Sequence, residues 1–168
     1  EATVDDLITI ASRQSTQVKL AKSGGLVPAP ETAVETDRPE PRLLLRRINL
    51  LTVQGEVTAT VELGYGAQHY LGEVKGPGLG MAPWRLLAYA TVQAINHVLP
   101  DGWRAAVDEV RIVSAWAGSL VMVTLYLGHL EAAPERCAGC VLIDGDIGPG
   151  VVKAALQAIN RRIARLLA

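Results

Sequence analysis

The sequence repeats itself at one fixed offset, and this duplication constrains the fold more than any other feature. Residues 57–64 align without gaps on 121–128, with four of eight positions identical. Residues 90–96 align on 154–160 with five of seven identical, and Arg47-Ile48 falls on Arg111-Ile112. One offset shared by three separated blocks indicates internal duplication. We predict two copies of one module, at 43–99 and 107–163.

Each copy carries the signals of three strands followed by one helix. The predicted strands are 43–52, 57–64 and 69–75 in copy one and 107–115, 121–128 and 136–143 in copy two. A glycine-rich break then leads to a helix with a proline near its start, Pro83 or Pro149, where the missing N–H costs no intrahelical bond. We therefore predict an α+β fold of duplicated βββα units, with antiparallel sheets covered by helices.

Apolar residues in the second predicted helix recur at helical spacing, as expected for a helix that covers a sheet. They are Val152, Ala155, Leu156, Ile159, Ile163 and Leu166. A lone three-stranded unit would leave its edges unpaired. We therefore expect the copies to pack together, and we expect the chain to form a homodimer or a higher oligomer.

The segment 1–41 does not belong to the repeat. Residues 1–21 predict a helix, because Val4, Leu7, Ile8 and Ala11 form an apolar stripe. Residues 22–41 contain four prolines and few large apolar side chains, which is typical of a flexible linker. The predicted domains are thus the helix, the linker and a tandem domain at 42–168. The short helix needs a partner surface, in this protein or in another one.

Composition argues against several partners. The net charge is −1, which gives no electrostatic reason to expect nucleic acid or an anionic membrane. The sequence has no apolar run long enough to span a membrane and no secretory signal pattern. Only Cys137 and Cys140 are present, so we expect a reduced, cytoplasmic protein. Because the chain begins at Glu1, we expect a processed chain or a fragment of a longer one.

Two glycine-rich loops are the candidate ligand sites, because both precede helices. Free N–H groups and the helix dipole at such positions favour an anion such as a carboxylate. The acidic side chains would repel a phosphate, whereas they could pair with an ammonium group, so an amino or hydroxy acid is the expected ligand. Alternatively, the glycines only permit tight turns. The candidate residues are Gly76, Gly78, Gly80, Asp144, Asp146, Gly148 and Gly150.

Other conspicuous residues favour structural roles. Cys137 and Cys140 have the spacing of half a zinc site or of a redox pair, but a structural zinc site needs four ligands and no second pair exists. We therefore predict two ordinary cysteines, no metal site and no cofactor. Asn96 and Asn160 occupy equivalent places in the two copies. Their side chains either make structural hydrogen bonds or contact a ligand, and we favour the first.

The order of these signals resembles a known family. The strand at 57–63 is followed by residues 70–78 before a helix, and Asp144-Gly145-Asp146-Ile147 precedes a helix with Ala-Ile-Asn. This pattern resembles the C-terminal regulatory domain of 2-isopropylmalate synthase and its citramalate synthase relatives, from Arg42 to the end. The resemblance implies an allosteric domain that dimerises and binds a feedback inhibitor. The family's catalytic barrel is missing from this chain.

We predict a non-catalytic regulatory module that dimerises and binds a small amino or hydroxy acid. GxSxG, HExxH and P-loop motifs are all missing from the sequence. One alternative is a structural protein that oligomerises through the duplicated unit. Another is double-stranded RNA binding, which also uses a βββα core, although Arg85 is the one base at the start of the first helix. An enzyme built from dispersed residues is a further alternative.

Overall fold

The computed structural model describes residues 42–115 and 118–167. The predicted N-terminal helix at 1–21 and the predicted linker at 22–41 both lie outside the described residues. Within the described part, no helix is long and apolar enough to cross a membrane.

The described residues form two βββα units in succession. The elements are β1 (Leu44–Val53), β2 (Glu56–Tyr65), β3 (Gln68–Pro77), α1 (Ala82–Asn96), β4 (Trp103–Ala115), β5 (Gly118–His129), β6 (Glu135–Ile143) and α2 (Ile147–Leu166). Sheet 1 has the order β1-β2-β3, sheet 2 has the order β4-β5-β6, and all neighbours are antiparallel. The predicted α+β fold of duplicated βββα units is confirmed.

The core lies between each sheet and its helix. Alternate residues of the central strands point inward, as the period of two requires. They are Val57, Ala59, Val61 and Leu63 in β2 and Val121, Val123, Leu125 and Leu127 in β5, all 3% exposed or less. The helices bury Leu87, Ile95, Ile159 and Ile163 against them.

A glycine in each third strand allows the helix to approach the sheet closely. A Cβ added to Gly72 would lie 1.9 Å from the carbonyl oxygen of Ala90, and one added to Gly139 would lie 2.0 Å from that of Ala154. No other residue fits at these distances. The helices also bind the adjacent strand backbone, because Gln93 accepts from the Glu73 N–H and Gln157 from the Cys140 N–H, each at 2.8 Å.

The strands and helices of the two repeats do not share one offset. Each third-strand glycine identifies its central-strand partner, since Val61 pairs with Gly72 and Val123 pairs with Gly139. The helices keep the offset of the sequence alignment, because Ala90 and Ala154 meet those glycines. The loop before β6 is longer than the loop before β3, and the entry to α2 is shorter than the entry to α1.

The gapless alignment of 57–64 on 121–128 is therefore wrong, because it matches Val61 with Leu125 whereas the sheets match Val61 with Val123. The first strands follow the same rule, because their β-bulges fall at Arg46 and Asp108. Arg47 is thus equivalent to Glu109 and not to Arg111. An even shift keeps each side chain on its face of the sheet, so the alignment still assigned inward and outward positions correctly.

The two asparagines join the repeats reciprocally. Asn96 accepts a hydrogen bond from the Ala105 N–H at 2.8 Å and donates one to the Ala105 carbonyl at 3.0 Å. Asn160 accepts from the Leu43 N–H at 3.0 Å and donates to the Leu43 carbonyl at 3.1 Å. Each helix therefore holds the backbone just before, or at the start of, the other repeat's first strand. The prediction of structural hydrogen bonds is confirmed.

Candidate functional site

The first glycine-rich loop is largely explained by packing. Gly76 lies next to the last residue of β3, beneath Leu86, whose Cδ2 would lie 2.9 Å from an added Cβ. The N–H of Gly78 donates to the Gly55 carbonyl at 2.9 Å. Gly80 has a φ of +54° with open space around it, a conformation that glycine adopts without strain. These contacts support the turn, and ligand binding at this loop stays a prediction.

The second loop supplies its own anion to the helix. Asp146 is the N-cap of α2, and its Oδ1 accepts from the Gly148 N–H at 2.9 Å. This carboxylate occupies a position that a bound carboxylate would need. Gly150 is buried against Ile143, whereas Asp144 is exposed. Direct anion binding at this helix terminus would therefore compete with Asp146.

One contact brings the first turns of the two helices together. A Cβ added to Gly148 would lie 3.4 Å from Leu87 Cδ1 and 3.9 Å from Trp84 Cζ3. Trp84 and Gly148 are equivalent positions of the two repeats, so this contact lies between corresponding parts of α1 and α2. The helices pack on each other where both glycine-rich loops end.

A groove that the sequence did not reveal lies between α1 and the bulge of β4. It has a volume of about 330 Å³. Its lining residues are Arg85, Tyr89, Val107, Asp108, Glu109 and Val110. Arg85 and Tyr89 lie one turn apart on the exposed side of α1, and the bulge projects Asp108 and Glu109. We call this the α1–β4 groove.

The charges of the α1–β4 groove are separated between its walls. Asp108 accepts from Arg136 through Nε and Nη2, at 2.7 and 2.6 Å, and this bond raises the pKa of Arg136. Glu109 accepts from Arg111 at 2.7 Å. Among the described residues, Arg85 makes no ion pair. The helix wall therefore offers a cation, and the strand wall offers carboxylate oxygens.

The equivalent groove of the other repeat carries cations alone. It lies between α2 and the bulge of β1, with a volume of about 490 Å³. Arg46 stands where the first groove has Asp108, and Lys153 stands where it has Tyr89. We call this the α2–β1 groove. The duplication thus gives two grooves of similar position and different charge.

The cysteines lie on opposite faces of β6. Cys137 is buried toward α2, and burial raises the pKa of its thiol. Cys140 is exposed on the other face. Across the described residues, no three His, Cys, Asp or Glu side chains are grouped so as to hold a metal ion. Both thiols are free.

The sheet faces that point away from the helices differ strongly. We call these the outer faces of sheets 1 and 2. The outer face of sheet 1 is mostly polar, with Arg47, Asn49, Thr58, Thr60, Glu62, Glu73 and Lys75, and its exposed apolar residues Leu44, Leu51, Val53 and Leu71 lie on the edge strands β1 and β3. The outer face of sheet 2 carries seven apolar residues, Val113, Leu120, Met122, Tyr126, Ala138, Cys140 and Leu142, together with the polar residues Glu109, Arg111, Thr124 and Arg136. A contiguous apolar surface of this kind indicates an interaction site.

No protein-family model matches the chain, and no curated protein matches it either. The function is therefore argued from the two grooves and the outer faces themselves.

Proposed function

We propose that the tandem βββα domain is a non-catalytic regulatory module that dimerises and binds a small amino or hydroxy acid. The observation that carries the proposal is the α1–β4 groove, in which Arg85 faces a wall that contains Asp108 and Glu109. The resemblance to the regulatory domain of 2-isopropylmalate synthase supports the same class of role. A cytoplasmic location agrees with the two free thiols.

The α1–β4 groove suits an α-amino acid because such a ligand carries both charges. A guanidinium group binds a carboxylate through two parallel hydrogen bonds, so Arg85 is the expected carboxylate partner. The Asp108 and Glu109 carboxylates can accept from the ammonium group. Tyr89, which is 46% exposed, offers a ring for an apolar ligand side chain.

The α2–β1 groove suits a hydroxy acid better. Arg46 and Lys153 can both bind a carboxylate, and no carboxylate side chain lines this groove to bind an ammonium group. Amino acids are therefore the expected ligands of the α1–β4 groove, and hydroxy acids are the expected ligands of the α2–β1 groove. Neither groove is lined by a histidine, cysteine or serine, so the described residues place no nucleophile and base together there.

Calorimetry with the full chain tests this proposal. The ligands are branched-chain and other apolar amino acids and their 2-hydroxy analogues. We expect Arg85→Gln to weaken amino-acid binding by about 10-fold or more, which is the usual loss for a charged hydrogen-bonding partner. Arg161→Gln is the matched control, because Arg161 is an exposed helix arginine outside the α1–β4 groove. Amino-acid binding that Arg85→Gln leaves unchanged, or no binding of any ligand, would overturn the proposal.

A second candidate function is assembly alone, and the outer face of sheet 2 favours it. In that role both grooves would be incidental. The same calorimetry separates the two candidates, because an assembly protein would bind none of the ligands while still forming dimers.

A further inference from the structure

The apolar residues of the outer face of sheet 2 fill one row across all three strands and continue into the next row on β5 and β6, where β4 contributes Arg111. Val113, Leu120 and Leu142 lie opposite one another in one row, and Met122 and Cys140 lie side by side in the next. Val113 is 52% exposed and Leu142 is 56% exposed. These side chains lie on the face opposite to α2, so the fold does not bury them.

The fold does not require this face to be apolar. In sheet 1 the same backbone positions carry Leu51, Thr58 and Lys75 in the first row and Thr60 and Glu73 in the second. Both sheets bury inward faces of the same kind under their helices. The fold of the described residues therefore does not account for the apolar residues that β5 and β6 carry on this face.

The dimensions of the face fit a subunit interface. Three strands about 4.8 Å apart, with about 3.4 Å per residue along the 12 residues of β5, give a face about 14 Å wide and about 40 Å long. The accessible area of such a corrugated face approaches the roughly 800 Å² per partner that a stable dimer buries.

The charges along the β4 edge of the face, and at Arg136 on β6, fit a second copy. Asp108 pairs with Arg136, and Glu109 pairs with Arg111. These four charges sum to zero within each copy, so the contact brings no net charge against net charge. A two-fold dimer needs one patch that matches itself, and an apolar sheet face beside balanced ion pairs meets that condition.

We propose that the outer face of sheet 2 packs face to face against the same face of a second copy of this chain. The inference rests on the dimerising role proposed above and names its interface. Cys140 lies within the packed face, whereas Cys137 lies on the other side of the same strand. The ion pairs of Asp108 and Glu109 form the polar rim.

The test makes the same substitution at equivalent positions of the two outer faces. Val113→Lys places a charge in the proposed interface, and Leu51→Lys places the same charge at the equivalent site of sheet 1, where Leu51 is 55% exposed. Sedimentation equilibrium of the full chain measures the dimer dissociation constant. We expect Val113→Lys and Leu142→Lys to raise that constant by about 100-fold or more, because each buries an unpaired charge, and Leu51→Lys to leave it unchanged.

Thiol labelling gives a second measurement that does not depend on substitution. We expect Cys140 of the wild type to react more slowly as protein concentration rises, and to react at one rate at all concentrations in Val113→Lys. Cys137 is the internal control, because it is buried in the monomer. Circular dichroism of each variant confirms that it is folded.

The outcomes distinguish this interface from dimerisation itself. A wild-type chain that stays monomeric overturns both this inference and the dimerising role. A dimer that persists in Val113→Lys and Leu142→Lys overturns the interface alone. The inference is also overturned if Leu51→Lys dissociates the dimer, or if the labelling rate of Cys140 does not change with protein concentration. Either result would place the contact elsewhere.

Discussion

The two sheets agree on one face and differ on the other. Their inner faces carry small and branched apolar residues under a helix, and each third strand has a glycine beneath that helix. Their outer faces differ, because Lys75 in sheet 1 stands where sheet 2 has Leu142. The inner faces are alike because each must pack against a helix for the unit to fold. The outer faces do not pack within the described residues, so their residues can differ between the repeats. Four experiments test how far this division holds.

The largest expected effect is a loss of folding from either shared glycine. Gly72→Val and Gly139→Val place a side chain against a helix carbonyl oxygen, so each helix must move off its sheet. We expect each to cost about 3 kcal/mol or more. Urea unfolding measures this loss, and Lys75→Ala on the same strand as Gly72 is the control. A large loss in one repeat alone would mean that the inner faces are not equivalent.

Converting the outer face of sheet 1 to that of sheet 2 should create a second adhesive surface. Thr58→Leu with Lys75→Leu completes an apolar row beside Leu51. Since the original face remains, we expect assemblies larger than a dimer. Light scattering across a concentration series measures their mass, and Thr58→Ser with Lys75→Arg controls for the double substitution. A variant with unchanged mass would show that apolar character alone does not make the face adhesive.

Each asparagine and the backbone residue that it binds form a clamp of two hydrogen bonds. Loss of either clamp should lower the free energy of unfolding less than substitution of a glycine does. Asn96→Ala and Asn160→Ala each leave one backbone N–H and one carbonyl without their partner, for which we expect about 1–3 kcal/mol. The losses should add in the double variant, because the two clamps share no residue. Denaturant unfolding measures them, with His97→Ala and Arg161→Ala as exposed neighbours. Unequal costs would mean that the repeats depend on each other unequally.

The smallest expected effect is a pH dependence in the second repeat alone. Arg162 donates to Glu135 and holds the pKa of that carboxyl below its ordinary value of 4.5. The folded state therefore gains stability that is complete above pH 4.5 and is lost as the pH falls through the lowered pKa. The equivalent residues of repeat one, Gln68 and Val98, cannot form this pair.

Thermal unfolding across an acid titration measures that contribution. Glu135→Gln should remove it and flatten the acid limb of the curve slightly. Arg162→Gln should do the same, because the lowered pKa depends chiefly on that hydrogen bond. An unchanged acid limb in both variants would contradict the expectation.

The inner faces and the helices could be predicted from the sequence because their signals are periodic. The asparagines were predictable as structural because they recur at equal positions of two helices. The equivalence of strand positions between the repeats could not be predicted. The second repeat has a longer loop before its third strand and a shorter connection to its helix, and these two length changes partly cancel. The shift they cause in the central strands is even, so the inward pattern did not reveal it.

The α1–β4 groove could not be predicted from the sequence. Arg85 and Asp108 come from different repeats, and a bulge within β4 brings Asp108 into position. The glycine-rich loops attracted attention because their composition is conspicuous, yet Gly76, Gly78 and Gly150 are accounted for by packing.

The two asparagine clamps make the repeats equivalent as partners, because each repeat binds the main chain of the other in the same way. Asn96 and Asn160 recognise only main-chain groups, at Ala105 and Leu43, so neither amide reads the identity of its partner. A chain that contained one repeat alone could therefore pair with a second copy of itself, with each asparagine binding one backbone N–H and one carbonyl of the other copy.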